Sequence, residues 1–83
     1  MRETIEWYGR KPLTLILPSQ AVLRLPGGMP RRIGCRTGVV WISDAPAGTD
    51  HILSAGQSIT MSSDVVLSGL PEAVLQIFAH SEV

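Results

Sequence analysis

The chain has 83 residues, of which 45% are hydrophobic, and its seven basic residues balance its seven acidic residues. A chain of this length forms one domain, and the even charge balance argues against the broad basic surface of a nucleic-acid-binding protein. One cysteine excludes an internal disulfide, and with only two histidines it is too little for a four-ligand structural zinc site. Stability must come from a dense apolar core or from association.

The N-terminal segment combines charged side chains with Trp7 and Tyr8. A helical turn, an edge strand and an arm are all compatible with this segment, and we expect residues 1–12 to form an irregular N-terminal arm and residues 13–83 to form a single β domain. The segment lacks the apolar stretch of a secretory signal, and no run of the sequence approaches the ~20 apolar residues of a membrane span. We therefore expect a cytoplasmic protein of bacterial type that binds neither membranes nor nucleic acids.

Short apolar stretches separated by glycine and proline predict strands along the rest of the chain. These stretches are residues 14–17, 21–25, 31–36, 39–43, 50–53, 57–61, 65–68 and 73–79. Seven to eight short strands at roughly ten-residue spacing are typical of an all-β barrel or sandwich. Thr37 and Gly38 are expected to form a two-residue turn, and residues 69–72 a loop.

Alternation of side chains along a strand predicts which residues face the core. Leu23 and Leu25 share one side of their strand, which leaves Arg24 on the solvent side. Residues 39–43 are apolar on both sides, so the sequence predicts that both are covered. Cys35 is expected in the core, because unpaired cysteine is among the most buried residue types.

Two segments of the sequence resemble the core of the cupin double-stranded β-helix. They are TGVVWI at 37–42, where a glycine precedes an apolar strand, and LSAGQSITM at 53–61. Together with DHIL at 50–53 and the short chain, they also resemble a bacterial family of short cupin-like proteins of unassigned function. The resemblance covers about residues 13–79 and implies an all-β, small cupin-like antiparallel barrel or sandwich of the jelly-roll type.

The cupin resemblance also provides a test for a metal site, because cupin enzymes hold a divalent ion through histidines and a glutamate near such glycines. Counted back from Gly38, the glutamate position falls on Arg31, and the histidine positions fall near residues 24–27. Counted on from Gly56, the next histidine position falls on Leu67. Arginine repels a cation and leucine offers no donor. The resemblance therefore implies a cupin-like protein with no metal and no cofactor.

Residues with side chains suited to ligand contact are Trp41, His51, Arg24, Arg31 and Arg36. A tryptophan can form a core or a pocket wall, and a lone histidine is more often structural than ligand-binding. The arginines offer donor forks for a small anion, although a solvated edge that discourages aggregation is the more ordinary role. No residue set forms a complete catalytic constellation.

These observations leave two functional hypotheses. The first is a metal-free cupin-like module that binds a small molecule, such as an anion, or another protein. The second is a metabolic enzyme with a rearranged site around His51 and the arginines. A small hydrophobic β domain gains from covering an edge or a face, so we also expect a homodimer or other homo-oligomer. Trp7 and Tyr8 are candidate interface residues.

Overall fold

The protein is represented by a computed structural model that describes residues 3–6, 12–19 and 21–79. Over these ranges the chain is all-β, with seven strands and no helix. The strands are β1 (Glu3–Glu6), β2 (Leu13–Leu17), β3 (Ala21–Leu25), β4 (Arg31–Asp44), β5 (Thr49–Ser54), β6 (Ser58–Met61) and β7 (Val65–Ala79). In the described part of the chain there is accordingly no helix long and apolar enough to cross a membrane.

The sheet is built around its two long strands, β4 and β7, which pair antiparallel. In the first half of the sheet, the strand order is β1-β3-β7-β4-β5. In the second half, β2 pairs with the other end of β7, and β6 pairs with the other end of β4. The pairings are antiparallel except that β1 runs parallel to β3. Both long strands therefore belong to both halves.

The two-residue turn expected at Thr37 and Gly38 is wrong, because β4 continues through both residues. The register between β4 and β7 shifts on either side of Gly38, as at a β-bulge. Gly38 has a φ of 79°, and a Cβ at this position would overlap the carbonyl oxygen of Glu72. A glycine here allows β7 to pass close to the β4 backbone. The β4 strand bends at this point instead of reversing its direction.

The loop expected at residues 69–72 is also wrong, since β7 continues through it. A Cβ added to Gly69 would lie 2.7 Å from the Cα of Glu72, so the backbone is tightly folded at this point. The separate short strands predicted on each side of both glycines are therefore two long strands. The eight predicted stretches therefore correspond to six observed strands, β2 to β7.

The N-terminal segment differs from its prediction where the structure describes it. Glu3–Glu6 was expected to be irregular, but it forms β1 and adds an edge strand beside β3. Trp7, Tyr8 and His80 lie outside the described residues. The division into an arm at 1–12 and a domain at 13–83 stays a prediction.

The core receives side chains from both halves of the sheet. Leu23 and Leu25 are fully buried while Arg24 between them is exposed, which confirms the predicted alternation. Cys35 is buried, as predicted. One cluster contains Leu17, Ala21, Leu23, Leu25, Ile33, Cys35, Val40, Ile42, Leu53, Met61, Val65, Leu67, Ala73, Leu75 and Ile77. The sheet is therefore curved, so that the inner sides of its two halves face a common interior.

The segment 39–43 of β4 is covered on one side, whereas the sequence predicted cover on both. Val40 and Ile42 are fully buried, but Trp41 between them is 40% exposed. The residue opposite Trp41 on β5 is Ile52, which is also exposed. The outer side of the sheet is thus open to solvent at this apolar segment of β4.

Candidate functional site

Large apolar side chains are exposed together on the outer side of the first half of the sheet. Trp41 is 40% exposed and Ile52 is 61% exposed, and Val66 of β7 is exposed as well. We call the outer side of β3, β7, β4 and β5, around these three residues, the outer face. Neighbouring exposed apolar side chains of this size are typical of a contact surface.

Strand register places Trp41 in a row that crosses the five strands of this half of the sheet. Trp41 opposes Ile52 on β5 and Ser68 on β7, and Ser68 in turn opposes Val22 on β3, which opposes Thr4 on β1. Adjacent strands lie ~4.8 Å apart, so directly opposed side chains are in reach of each other. The indole ring therefore lies next to the apolar side chain of Ile52, at the β5 end of the row.

A second row, next to the first, carries charged residues on β3 and β5. Arg24 on β3 opposes Val66 on β7, Val66 opposes Ser43 on β4, and Ser43 opposes Asp50 on β5. Arg24 and Asp50 are both exposed. Arg24 takes part in a further interaction within its own chain. The row continues to Glu6 on β1, which is registered opposite Arg24, so the β3 side of the outer face has residues of both charges.

The outward side of the second half of the sheet is more polar. Arg32 donates hydrogen bonds from Nε and Nη2 to the Ser58 hydroxyl at 3.2 and 3.1 Å. Ile16 and Phe78 are exposed there too, but Gln76 lies between their positions along β7. The apolar side chains of this half are therefore separated by polar ones, unlike Trp41 and Ile52.

Arg31, the first residue of β4, is buried with 2% of its surface exposed. Its Nη1 donates a hydrogen bond to the carbonyl oxygen of Met29 at 3.4 Å. Its Nη2 donates to the carbonyl oxygens of Leu25, at 3.1 Å, and Ser63. The Nε has no hydrogen-bond partner. Arg31 therefore joins the end of β3 to the segment before β7 from inside the protein.

Two carboxylates contribute to the environment of Arg31. Burial lowers the pKa of Arg31 below its usual value, and the negative charges of Asp64 and Asp44 oppose that shift. Asp44 accepts a hydrogen bond from the Ser63 hydroxyl at 2.8 Å, and Asp64 accepts one from the backbone N–H of Gly27. We call Arg31, Asp44, Ser63 and Asp64 the polar cluster. Because its groups bond mainly to each other and to backbone atoms, it is suited to holding loops together.

The three arginines predicted as an anion site lie in three places. Arg24 is at the margin of the outer face, and Arg31 is in the interior. Arg36 is exposed at the β4 bulge, between Cys35 and Thr37. The structure does not bring their guanidinium groups to a common point.

Trp41 and His51, the other two predicted site residues, lie on opposite sides of the sheet. Trp41 opposes Ile52, whereas His51 opposes the buried Ile42 and so faces the inner side. Of the five predicted residues, Trp41 and Arg24 therefore share the outer face. No group of three or more His, Cys, Asp or Glu that could hold a metal ion occurs among the residues that the structure describes.

Cys35 has the environment of an unreactive core thiol. Its Sγ lies 3.4 Å from the carbonyl oxygens of Thr37 and Gly38 and can donate to them. Burial raises the pKa of the Cys35 thiol, and a backbone hydrogen bond with Val40 opposes this rise. A thiol that stays protonated is a poor nucleophile, so Cys35 does not supply an activated sulfur.

The sequence analysis did not identify four residues of the outer face and the polar cluster. Ile52 and Val66 belong to the outer face, and Ser63 and Asp64 belong to the polar cluster. Ile52 could have been found, since it alternates with His51 and therefore shares a side with polar neighbours. The partners of Arg31 depend on how two loops meet, and local sequence carries no signal for that.

No model of a known protein family matches the chain, and no curated protein or solved structure is significantly similar to it.

Proposed function

We propose that the protein is a metal-free cupin-like module that binds another protein through its outer face. The observation that carries the proposal is the exposure of Trp41 beside Ile52 in one cross-strand row. Both side chains lie outside the core cluster, so their exposed surface adds little to the stability of the folded chain. Tryptophan is enriched at the centres of protein interfaces, where its surface is removed from water on binding.

The proposal takes the curved sheet to be a jelly-roll barrel or sandwich of the cupin kind. In support, the two halves of the sheet share one core, and β4 and β7 bend to enter both. Two cupin ligand positions correspond to Arg31 and Leu67, and both side chains are buried in the interior. Neither can donate an electron pair to a metal ion, so the module is proposed to work without one.

Another protein fits the outer face better than a small molecule does. Small-molecule sites are concave and enclose most of the ligand. The outer face is instead the broad side of four neighbouring strands, with the apolar Trp41, Ile52 and Val66 on it and charged residues on β3 and β5. Such a surface matches the apolar centre and polar rim of protein interfaces.

The anion-binding and enzyme hypotheses have weaker support. The terminal nitrogens of Arg31 already donate to backbone carbonyls inside the protein. Arg24 is exposed on the other side of the sheet from the buried Arg31, and Arg36 is exposed at the β4 bulge. An enzyme built around His51 would need the arginines near its imidazole, on the inner side of β5. Only Arg31, among these three arginines, is buried.

Site-specific crosslinking tests the proposed function. A photoreactive phenylalanine analogue in place of Ile52 should give a discrete protein crosslink in the producing cells. The same analogue in place of Thr60, which is exposed on β6 in the second half of the sheet, is the matched control and should give none. Adding Trp41→Ser should abolish the product from position 52. Absence of any product from position 52 would contradict a protein-binding outer face.

A further inference from the structure

The edge of the sheet at β5 is open among the residues that the structure describes. β5 pairs with β4 on one side and with no described strand on the other. The opposite edge of this half of the sheet, at β3, is covered by β1. Residues 49–54 include no proline and no lysine, the residues with which proteins commonly protect such an edge. β5 can therefore pair with a further strand.

Alternate residues of β5 direct their backbone groups away from β4. The N–H of Ser54 donates to the side-chain Oε1 of Gln57 at 2.7 Å, so it is not directed at β4. In an antiparallel pair, residues that bond to the partner strand alternate with residues that do not. The backbone N–H and C=O groups of Asp50 and Ile52 therefore point outward from the edge, where a second strand can bond to them.

We propose that this edge pairs antiparallel with the same edge of a second copy of this chain, with Ile52 opposite Ile52 of the partner subunit. The two-fold axis is perpendicular to the sheet and passes between these two residues. Their backbone groups form two reciprocal hydrogen bonds, and the two sheets become one continuous sheet. Both copies use the same strand, so the contact is closed and adds no further copies. The inference goes beyond the proposed function, because it concerns the edge of the sheet and a different partner.

The side chains of β5 complement each other in this register. Ile52 lies beside Trp41, so pairing places Trp41, Ile52, the partner subunit's Ile52 and the partner subunit's Trp41 in one row. Apolar cross-strand pairs of this kind stabilise antiparallel sheets. Asp50 is brought opposite Ser54 of the partner subunit, whose hydroxyl can donate to the carboxylate. Because β5 supplies both members of each pair, the edge fits a second copy better than an unrelated extended segment.

Other registers of the same strand pair fit less well. Side-chain alternation lets a residue oppose only residues on its own side of the sheet, so the axis must pass at a residue. An axis at His51 would place each Asp50 carboxylate against an apolar Ile52, and an axis at Asp50 would oppose the two carboxylates. An axis at Leu53 would place Ile52 against the polar Ser54. The side chains therefore favour an axis at Ile52.

The length of β5 predicts a weak dimer. Its six residues extend ~20 Å and contact the partner along a single edge. The Ser54 N–H is already bonded to Gln57, so the ends of the pair contribute fewer backbone bonds than the centre. Such a contact falls in the class of small interfaces that bury less than ~1,200 Å² in total. We therefore expect a concentration-dependent dimer with a Kd on the order of 100 µM.

Proline substitution tests the pairing in the full chain by sedimentation equilibrium, from about 10 µM to 1 mM. Ile52→Pro removes an N–H that does not serve β4, and edge strands tolerate proline, so this variant should fold but stay monomeric. Thr60→Pro is the matched control on β6. The Gln57 carbonyl accepts from the Cys35 N–H at 2.9 Å, so by the same alternation the Thr60 N–H also points away from β4. This control should fold and dimerise like the wild type.

Introduced cysteines test the register in a Cys35→Ala background. A residue on the axis faces itself, and opposed residues of a hydrogen-bonded pair have Cα atoms ~5.5 Å apart, within reach of a disulfide. Ile52→Cys should therefore give a disulfide-linked dimer on mild oxidation. Asp50→Cys alone and Ser54→Cys alone should not, because each lies ~14 Å from its own copy along the strands. An equimolar mixture of these two variants should give the mixed disulfide dimer.

Thermal unfolding of every variant is measured first. If Ile52→Pro fails to fold, the disulfide pattern decides the outcome, because the cysteine variants keep the backbone of β5 intact. A wild-type chain that stays monomeric to 1 mM overturns the second copy as partner of β5. A dimer that Ile52→Pro leaves intact, a disulfide from Asp50→Cys alone, or a mixture that gives no disulfide overturns the proposed pairing.

The mass of the photocrosslinked product separates this inference from the proposed function, since position 52 lies on both surfaces. A product of twice the mass of the chain supports the β5 pairing alone. A product that contains another protein supports the proposed function, and it can form whether or not the chain dimerises. Either proposal can therefore fail while the other holds.

Discussion

Arg31 Nη2 donates a hydrogen bond of 3.1 Å to the carbonyl oxygen of Leu25, joining the start of β4 to the end of β3 inside the protein. The same guanidinium also serves the carbonyl oxygens of Met29 and Ser63. Burying a cation has a large desolvation cost, which these bonds and the nearby carboxylates offset in part. The side chain replaces the water that three backbone carbonyls would otherwise need.

Arg31→Met should destabilise the protein by about 2–4 kcal/mol, since the apolar side chain leaves those carbonyls without donors. The substitution also removes a buried charge and an Nε that has no hydrogen-bond partner, and this recovers part of the lost stability. The decrease in the free energy of unfolding should therefore be smaller than the sum expected for three hydrogen bonds. Urea unfolding measures the change. Arg32→Met is the matched control, because Arg32 is exposed, and it should change stability by less than about 0.5 kcal/mol. Equal effects of the two substitutions would contradict a structural role for Arg31.

Asp44→Ala should destabilise the fold by about 2 kcal/mol. Asp44 is buried and accepts hydrogen bonds from the Ser63 hydroxyl at 2.8 Å and the Ala47 N–H at 3.2 Å, and both donors would lose their acceptor. Its negative charge also favours the ionised form of Arg31. Asp50→Ala, at an exposed carboxylate on the neighbouring strand, should be nearly neutral in urea unfolding. A neutral Asp44→Ala would show that the cluster contributes nothing measurable.

Gly38→Ala should prevent folding or cost more than about 3 kcal/mol, because a positive φ and a steric overlap act together. Gly48→Ala isolates the first effect: Gly48 has a φ of 70°, close to the 79° of Gly38, but a Cβ there meets nothing within 4 Å. We expect about 1 kcal/mol at Gly48, from backbone strain alone. Thermal unfolding of the Gly38→Ala and Gly48→Ala variants measures the difference between the two losses of stability. Similar losses at both positions would mean that β7 does not approach Gly38 closely.

The buried thiol of Cys35 predicts a decrease in stability at alkaline pH. Its pKa in the folded protein is raised above the ordinary value of 9.0. At a pH between the pKa of the thiol in the unfolded chain and its higher pKa in the folded protein, the folded chain holds a proton that the unfolded chain has released. The free energy of unfolding therefore falls as the pH rises above about 9. Below that pH the contribution is fully present.

Urea unfolding of the wild type and of Cys35→Ala between pH 7 and pH 10 measures this dependence. The alanine variant is less stable at neutral pH because of the lost packing, but its stability should fall less steeply with pH. Parallel pH profiles for the two proteins would argue against a raised pKa. A thiol reagent should also react with native Cys35 far more slowly than with the unfolded chain.

The all-β class and most of the core could be predicted from the sequence, because side-chain alternation and the effects of glycine and proline act locally. Leu23, Leu25 and Cys35 are buried as expected, and most predicted strand segments lie within observed strands. The turn at Gly38 was mispredicted, since a glycine between two strand segments is compatible with either a reversal or a bulge. Which of them forms depends on β7, a strand more than twenty residues further along the chain.

The candidate site was less predictable than the fold. Trp41 was named as a candidate residue from the sequence, but its exposure depends on what covers the outer side of β4, and local sequence carries no signal for that. Arg31 shares its side of the strand with Ile33 and Cys35, so alternation could have placed it inward, although the sequence analysis did not apply it to this residue. Its arginine neighbours in sequence favoured a shared surface site, and that inference assumed that nearness in sequence carries over to the folded chain.

The participation of β4 and β7 in both halves of the sheet has a consequence for folding. Arg31 pairs with Ala79 and Ser43 with Val66, so most of the chain must be brought together before the central pairing closes. Such long-range pairing slows folding relative to proteins with local contacts. Because neither half has a central strand of its own, neither can open while the other stays intact. Amide hydrogens in β2 and in β5 should therefore report the same slow, global opening wherever they are protected.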